Sequence, residues 1–217
     1  MDEFNSSDVQ FRAPFRILLS GSSQCGKSTW IFKFLRHLTS VADTQFDKII
    51  YVYEASQPLY EDIRREMPHI IWIRGYDPDG PLQEHLSNSS LTKLVIFDDQ
   101  MMKLAKSQEF AELATTLSHH QNVSYLVTLQ NLLYQGKYMR TIHLQTTAYI
   151  LFKSPRDITQ IRILGNQVGR PNLVKAYTNA TQNKYNYLCV DLQIETPDTL
   201  RVRSGVLDGE QLIIFTE

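Results

Sequence analysis

The sequence predicts an α/β protein in which helices flank a largely parallel central sheet. Short apolar runs, bounded by charged or turn-forming residues, alternate along the chain with segments whose apolar residues recur at helical spacing. This alternation is typical of parallel strands that are joined by helices. A length of 217 residues favours one domain, and 42% hydrophobic with 21% charged residues excludes a disordered or collagen-like chain.

The predicted elements follow from the position of each apolar run. Five segments have helical spacing, and they cover residues 27–40, 59–66, 107–117, 157–164 and 173–180. Seven runs are predicted to be buried strands, at residues 16–20, 49–53, 70–73, 94–97, 125–129, 148–152 and 185–190. Two C-terminal edge strands are predicted near residues 200–203 and 212–215. Residues 75–90, rich in Gly, Pro, Asp and Ser, are predicted to form a surface loop.

Domain organisation and location are predicted from the ends of the chain and from its apolar runs. Residues 1–13 are predicted to be a polar tail, and residues 14–217 a single domain. No apolar run approaches the roughly 20 residues of a membrane span, and the polar, acidic N-terminus lacks the pattern of a signal peptide. Two cysteines, Cys25 and Cys189, cannot form a disulfide framework. We expect an intracellular protein that is neither secreted nor membrane-bound.

The charges are distributed unevenly along the chain, although the net charge is only -1. Between residues 113 and 190 there is one acid, Asp157, against eight basic residues. Such a block is a candidate site for the phosphates of a polynucleotide or of a neighbouring subunit's nucleotide. A solvated face, balanced by acids from elsewhere in the fold, is the alternative. The basic residues are Lys137, Arg140, Lys153, Arg156, Arg162, Arg170, Lys175 and Lys184.

Residues 21–28 match the phosphate-binding pattern G-x-x-x-x-G-K-[ST] and lie between a predicted strand and a predicted helix. The glycines let backbone N–H groups face the phosphates, and the helix N-terminus favours negative charge. In this pattern Lys27 bridges the β- and γ-phosphates, and the Ser28 hydroxyl binds Mg²⁺. The predicted nucleotide-binding residues are Gly21, Ser22, Ser23, Gln24, Cys25, Gly26, Lys27, Ser28 and Thr29.

Two further strands end in polar side chains. The strand at residues 94–97 delivers Asp98 and Asp99, in the form of a Walker B element. Adjacent residues of a strand face opposite sides, so we expect Asp98 to hold Mg²⁺ and Asp99 to orient the attacking water. An Asp pair that caps the next helix is the alternative. Gln130, followed by Asn131, ends the next strand, where its amide could contact the γ-phosphate and the water, although such residues are also common turn formers.

With these motifs in view, the chain resembles the FtsK-HerA type genome-packaging ATPases of eukaryotic double-stranded DNA viruses. It resembles specifically those of adintoviruses and Polinton/Maverick elements, which are related to the poxvirus packaging ATPase. The resemblance covers residues 14–210 and implies a P-loop NTPase of the RecA/ASCE type. It rests on PFRILLSGSSQCGKST, YVYEASQPLY, LVIFDDQM, SHHQNVSYLVTLQNL, GKYMRTI, LFKSPRD and TPDTLRVRS.

The resemblance implies a ring-forming motor that hydrolyses ATP with Mg²⁺ and pumps duplex DNA into a preformed capsid. Its implied partners are double-stranded DNA, viral capsid or portal-vertex proteins and further copies of the chain. Its implied location is the infected host cell, in the nucleus or the cytoplasm, or the virion. Lys27, Ser28, Asp98, Asp99 and Gln130 keep the roles given above. The wider group more often has Glu at the position of Asp99, so the Asp in this chain departs from the usual residue of the group.

Such rings usually complete each active site with an arginine from the adjacent subunit, because a cation stabilises the charge that develops in phosphoryl transfer. Arg140 and Arg156 are the best candidates, and Arg201 and Arg203 are weaker ones. Two other functions stay open. A superfamily-three replicative helicase also pairs a P-loop with two acids, and a small-molecule kinase uses the same loop. A GTPase is disfavoured, since no NKxD-like element follows the fifth strand.

Overall fold

The computed structural model describes residues 8–216, except for the side chains of Leu117 and His119. Within these residues, nine strands form a single sheet. The strands are β1 (Arg16–Ser20), β2 (Lys48–Tyr53), β3 (Ile71–Arg74), β4 (Lys93–Asp98), β5 (Val123–Leu129), β6 (Ala148–Phe152), β7 (Tyr187–Asp191), β8 (Val202–Ser204) and β9 (Ile213–Ile214).

Ten α-helices connect or cover these strands in the described part of the chain. They are α1 (Lys27–Arg36), α2 (Leu38–Val41), α3 (Pro58–Glu66), α4 (Leu82–Leu86), α5 (Met101–Leu104), α6 (Gln108–Glu112), α7 (Ser118–His120), α8 (Met139–Gln145), α9 (Ile158–Gln167) and α10 (Leu173–Ala180). A π-helical turn (Leu113–Leu117) joins α6 to α7, and a 3₁₀ turn (Asp198–Leu200) precedes β8.

The sheet confirms the predicted α/β architecture. Its strand order is β3-β2-β4-β5-β1-β6-β7-β8-β9. The first six strands in the chain are parallel, and β7, β8 and β9 add an antiparallel edge, as predicted for the C-terminal strands. β5 lies between β1 and β4 in this order. The carboxyl ends of β1, β4, β5 and β6 therefore meet at one edge of the sheet, which is where parallel α/β proteins bind ligands.

Two apolar cores, one on each face, bury this sheet. One contains Trp30 and Phe34 of α1 with Tyr60 of α3. The other contains Phe110 of α6 and Tyr177 of α10 together with apolar residues of α5, α8 and α9. Because both faces are covered, all residues of β1 are buried, which explains why the parallel strands have continuous apolar sequences.

Three segments differ from the sequence prediction. Residues 75–90 are not entirely a surface loop, because they contain α4, whose Leu82 and Leu86 are one helical turn apart and both buried. The predicted helix at residues 27–40 is divided at His37 into α1 and α2. The predicted helix at residues 107–117 ends as a π-helical turn. Helices α5 and α8 were not predicted, since four and seven residues are too few for a clear periodicity.

The predicted polar tail lies outside the described residues as far as residue 7. In its described part, Phe11 is completely buried, pairs with Ala42 in an isolated bridge, and packs against the rings of Phe15 and Phe34. Phe11 therefore belongs to the apolar core, so this segment is not polar throughout. Among the described residues, no helix has the length and apolar character needed to cross a membrane.

Candidate functional site

The phosphate-binding loop connects β1 to α1 and is shaped by backbone that favours glycine. Gly26 has a φ of 109°, and a Cβ atom there would lie 2.9 Å from Cδ1 of Tyr185, so both conformation and space require glycine. Gly26 is the N-cap of α1 and has no side chain that could accept from the first N–H groups of the helix. The backbone N–H groups of Lys27, Ser28 and Thr29 are thus available to an anion.

Lys27 lies inside the curl of this loop. Its side chain is buried, and Nζ donates hydrogen bonds to the carbonyl oxygens of Gly21 at 2.7 Å and Ser22 at 3.0 Å. Cys25 lies beneath the same loop, where burial raises the pKa of its thiol and the Lys27 ammonium offsets part of that effect. The carbonyl groups of the loop therefore hold the Lys27 ammonium close to the backbone N–H groups that are available to an anion.

Asp98, the last residue of β4, is bound by four hydroxyl groups. Its Oδ2 accepts from Ser28 at 2.9 Å, from Tyr51 at 2.8 Å and from Tyr60 at 3.0 Å, and its Oδ1 accepts from Thr128 at 2.9 Å. The carboxylate is only 2% exposed. A buried carboxylate needs several donors to remain charged, and these four hold it directly beside the start of α1.

Asp99 faces the opening of the site. It adopts the left-handed conformation, with a φ of 57°, and its backbone N–H donates to Thr128 Oγ1 at 2.9 Å. Burial raises the pKa of the Asp99 carboxyl, the negative charge of Asp98 raises it further, and a hydrogen bond with the Gln130 side chain and the charge of Lys27 offset part of this rise. A raised pKa is typical of a group that exchanges protons.

These residues line one cleft of about 560 Å³ at the carboxyl edge of the sheet. It brings together most of the residues that the sequence predicted, namely Ser23, Gln24, Gly26, Lys27, Ser28, Thr29, Asp98, Asp99 and Gln130. Three lining residues were not predicted, namely Gln57, Leu59 and Tyr185, and a fourth, Lys184, was predicted only as part of the basic block. Its polar lining and open form suit a charged ligand.

The four predicted arginines occupy different environments. Arg140 and Arg156 are exposed, and neither belongs to the described residues that line the cleft. Arg201 donates to Asp198 Oδ1 at 2.6 Å and to the Gln193 carbonyl at 2.8 Å. Arg203 is completely buried and ion-paired with Asp191 at 2.8 Å, so its prediction as an arginine for a neighbouring site is wrong. A side chain enclosed by its own chain cannot reach another subunit.

The tyrosines and the threonine on Asp98 were missed by the sequence analysis. Tyr51 and Tyr60 occupy an apolar strand and an amphipathic helix, where a tyrosine is ordinarily a core residue. Thr128 offered the one usable signal, because it is a polar residue within a strand whose seven residues are all buried.

Magnesium fits this arrangement. Mg²⁺ prefers oxygen ligands and is usually held by one or two protein groups in addition to phosphate oxygens. The Ser28 hydroxyl and the Asp98 carboxylate supply such oxygens, already 2.9 Å apart. The two groups would hold the ion at the phosphate-facing side of the loop.

Removing the hydroxyl of Tyr51 is expected to destabilise the fold, because the hydroxyl donates to a buried carboxylate. We expect Tyr51→Phe to lower the free energy of unfolding by about 1.5–3 kcal/mol. The matched control is Tyr53→Phe, on the same strand, whose hydroxyl accepts from Arg64 at 3.3 Å nearer the surface. Urea denaturation would measure both variants, and equal losses would contradict the importance of the bond to Asp98.

Comparisons with known proteins place the fold. No protein-family model matches the chain, and no curated protein matches its sequence. Among solved structures, the DNA-packaging ATPase B204 of Sulfolobus turreted icosahedral virus matches with a TM-score of 0.55 and 13% identity, over 95% of this chain and 98% of B204. B204 of Sulfolobus turreted icosahedral virus 2 in complex with ATP-γS has a TM-score of 0.53 and 14% identity, over 93% and 96% of the two chains.

A third solved structure is the cytoplasmic domain of the type VII secretion ATPase EccC of Thermomonospora curvata. It matches with a TM-score of 0.53 and 13% identity, over 92% of this chain and 25% of EccC. The chain therefore has the α/β fold of the P-loop ATPases, and a viral DNA-packaging ATPase and a type VII secretion ATPase are among its structural neighbours.

Proposed function

We propose that this protein is an ATP-hydrolysing motor that translocates double-stranded viral DNA into a preformed capsid. The proposal is carried by one observation. A complete phosphate-binding loop and two acids form a single cleft, in a fold that matches the DNA-packaging ATPase B204 almost from end to end. It is supported by the motif resemblance that extends beyond the loop, through residues 118–132 and 136–142.

Each part of the cleft has a chemical task in the proposed reaction. The uncapped N–H groups at the start of α1 and the Lys27 ammonium bind the phosphates. Ser28 and Asp98 would hold Mg²⁺, which would neutralise charge on the phosphate oxygens. Asp99 accepts a proton from the attacking water, and Gln130, which lines the same cleft, orients that water.

The basic block supports contact with the DNA backbone. A motor that moves any sequence must bind phosphates rather than base edges. Seven of the eight basic residues are exposed, and Arg170 is half-buried. We expect affinity for long duplex DNA to fall about 10³-fold or more between 50 and 200 mM salt, as measured by fluorescence anisotropy. A flat salt response would show that the block does not contact phosphates.

Arg140 and Arg156 are the proposed trans-acting arginines of a homo-oligomeric ring. An arginine that acts on the neighbouring site can be tested in mixed rings of two inactive variants. The arginine variant has an intact phosphate-binding loop, and an adjacent Lys27→Ala subunit can supply the arginine that completes its active site. We expect Arg140→Ala or Arg156→Ala to be inactive alone and to regain turnover when mixed with Lys27→Ala. Mixing that restores nothing for either variant would exclude both residues.

The deciding experiment is steady-state ATP hydrolysis with and without long duplex DNA. We expect turnover to be stimulated by duplex DNA and abolished by Lys27→Ala. Lys33→Ala is the matched control, since Lys33 is a half-exposed lysine of the same helix, outside the lining of the cleft. Turnover indifferent to DNA, or phosphate transfer to a small acceptor, would indicate a kinase, and strand separation on a gapped duplex would indicate a helicase.

Capsid or portal-vertex proteins are the proposed partners, in the infected cell or the virion.

A further inference from the structure

Tyr185 lies at the mouth of the cleft, in the segment between α10 and β7. Because β7 is antiparallel to β6, the residues that precede β7 lie at the same edge of the sheet as the phosphate-binding loop. The sequence predicted Tyr185 to be the first residue of a strand. Instead the strand begins at Tyr187, and Tyr185 lines the cleft.

The backbone of Tyr185 is strained. Its φ of 71° lies in the left-handed region, which a bulky side chain rarely adopts. Its side chain is not buried in compensation, since Tyr185 is 56% exposed. Burial in the core does not explain this strained backbone, and such strain is concentrated at ligand sites.

The ring of Tyr185 covers the beginning of α1. Its Cδ1 would lie only 2.9 Å from a Cβ atom at Gly26, so the ring is packed against the backbone of the loop. The Lys184 ammonium lies over one face of the same ring, 4.7 Å from its centre, and Lys184 also lines the cleft. Tyr185 is the sole aromatic side chain among the described residues that line it.

The strand order determines which end of a nucleotide lies near Tyr185. In the sheet, β5 and β4 lie on one side of β1, and β6 and β7 lie on the other. The terminal phosphate belongs on the side of Asp98, Asp99 and Gln130, at the ends of β4 and β5. The base is at the opposite end of the nucleotide and therefore belongs on the side of β7, where the exposed ring is.

We propose that the Tyr185 ring is the platform on which the base of a bound nucleoside triphosphate stacks, with Lys184 adding positive charge beside it. The inference rests on the nucleotide site of the proposed function and adds its base-contacting residue. An aromatic face contacts the plane of any base and not the substituents at its edge, so the platform accepts adenine and guanine alike.

The test compares ligands with and without a base. Calorimetry would measure binding of ATP, GTP and inorganic tripolyphosphate to the intact chain, Tyr185→Phe and Tyr185→Asn. Asn suits the left-handed backbone but has no ring. We expect Tyr185→Asn to raise the Kd for ATP and GTP by the same factor, about 10-fold, because one base–aromatic stack is lost. Tripolyphosphate binding to Tyr185→Asn should change less than about twofold, because tripolyphosphate has no base to stack. The affinities of Tyr185→Phe for all three ligands should also change less than about twofold, because Phe keeps the aromatic ring.

Two results would overturn the platform. Equal losses for ATP and tripolyphosphate would mean that the ring only supports the loop at Gly26, and unchanged ATP binding in Tyr185→Asn would mean that the base lies elsewhere. Lys27→Ala separates this failure from that of the proposed function. If ATP binding depends on Lys27 but not on Tyr185, only the platform fails. If ATP does not bind, or binds independently of Lys27, the nucleotide site and the platform fail together.

Discussion

Asp99→Asn is expected to lower the rate of ATP hydrolysis at saturating nucleotide by at least about 100-fold. A positioned general base contributes roughly 10²- to 10⁴-fold to such a reaction, and the amide of Asn cannot accept the proton. ATP binding should change little, because the phosphates are held by the loop and by Lys27. Phosphate release under single-turnover conditions, together with calorimetric ATP binding, measures the two effects separately.

The same substitution is expected to raise the free energy of unfolding at pH 7. Burial and the charge of Asp98 raise the pKa of the Asp99 carboxyl, so the folded state disfavours its ionised form. This cost is fully present above the raised pKa and disappears as the pH falls below the pKa of the unfolded chain. Asn also suits a φ of 57°, but that contribution does not depend on pH.

Denaturation of Asp99→Asn and the unsubstituted chain over a range of pH therefore separates the two causes. The advantage of Asp99→Asn should be largest at neutral pH and should shrink as the pH falls through the titration of Asp99. In the unsubstituted chain, turnover should decline on the acid side with a midpoint above the ordinary pKa of an aspartate, because the base must be ionised. Unchanged turnover in Asp99→Asn would exclude Asp99 as the base.

Arg203→Met is expected to lower the free energy of unfolding by about 3–5 kcal/mol. Arg203 donates to the Leu200 carbonyl at 2.6 Å, to the Val9 carbonyl at 3.1 Å and to Asp191 at 2.8 Å, with both charged side chains completely buried. Removing one partner leaves the Asp191 carboxylate buried without its counter-charge, which is far costlier than losing an exposed pair. Urea denaturation measures the loss.

Arg201→Met is the matched control, since it removes the neighbouring arginine from its pair with Asp198, whose side chain is 81% exposed, and from the Gln193 carbonyl. We expect it to cost about 1–2 kcal/mol, because the exposed pair contributes little and one hydrogen bond contributes roughly 1 kcal/mol. The double variant Arg203→Met/Asp191→Leu should recover part of the lost stability, because it also removes the unpaired charge. If Arg203→Met were as stable as Arg201→Met, the buried pair would not support this edge of the sheet.

The sequence by itself was sufficient to predict the sheet, its C-terminal edge strands and the main residues of the cleft. β1 and β6 begin and end at the predicted residues, and α10 does too. Strand and helix periodicity are local properties, and the phosphate-binding loop is contiguous in the chain, so neither depends on distant contacts. The two acids of β4 were predictable for the same reason, since they directly follow an apolar run.

The tertiary structure decided which distant residues share a site. Tyr51, Tyr60 and Thr128 come from three elements and meet on one carboxylate, although each has the sequence environment of a core residue. The sequence around Arg203 carries no local signal that its side chain is buried. The sequence around Tyr185 carries no local signal that its backbone is strained and its ring exposed. Their roles depend on the antiparallel β7, which carries Asp191, the partner of Arg203, and brings Tyr185 to the loop. Burial and pairing across the sheet are set by strand order, which no local pattern in the sequence encodes.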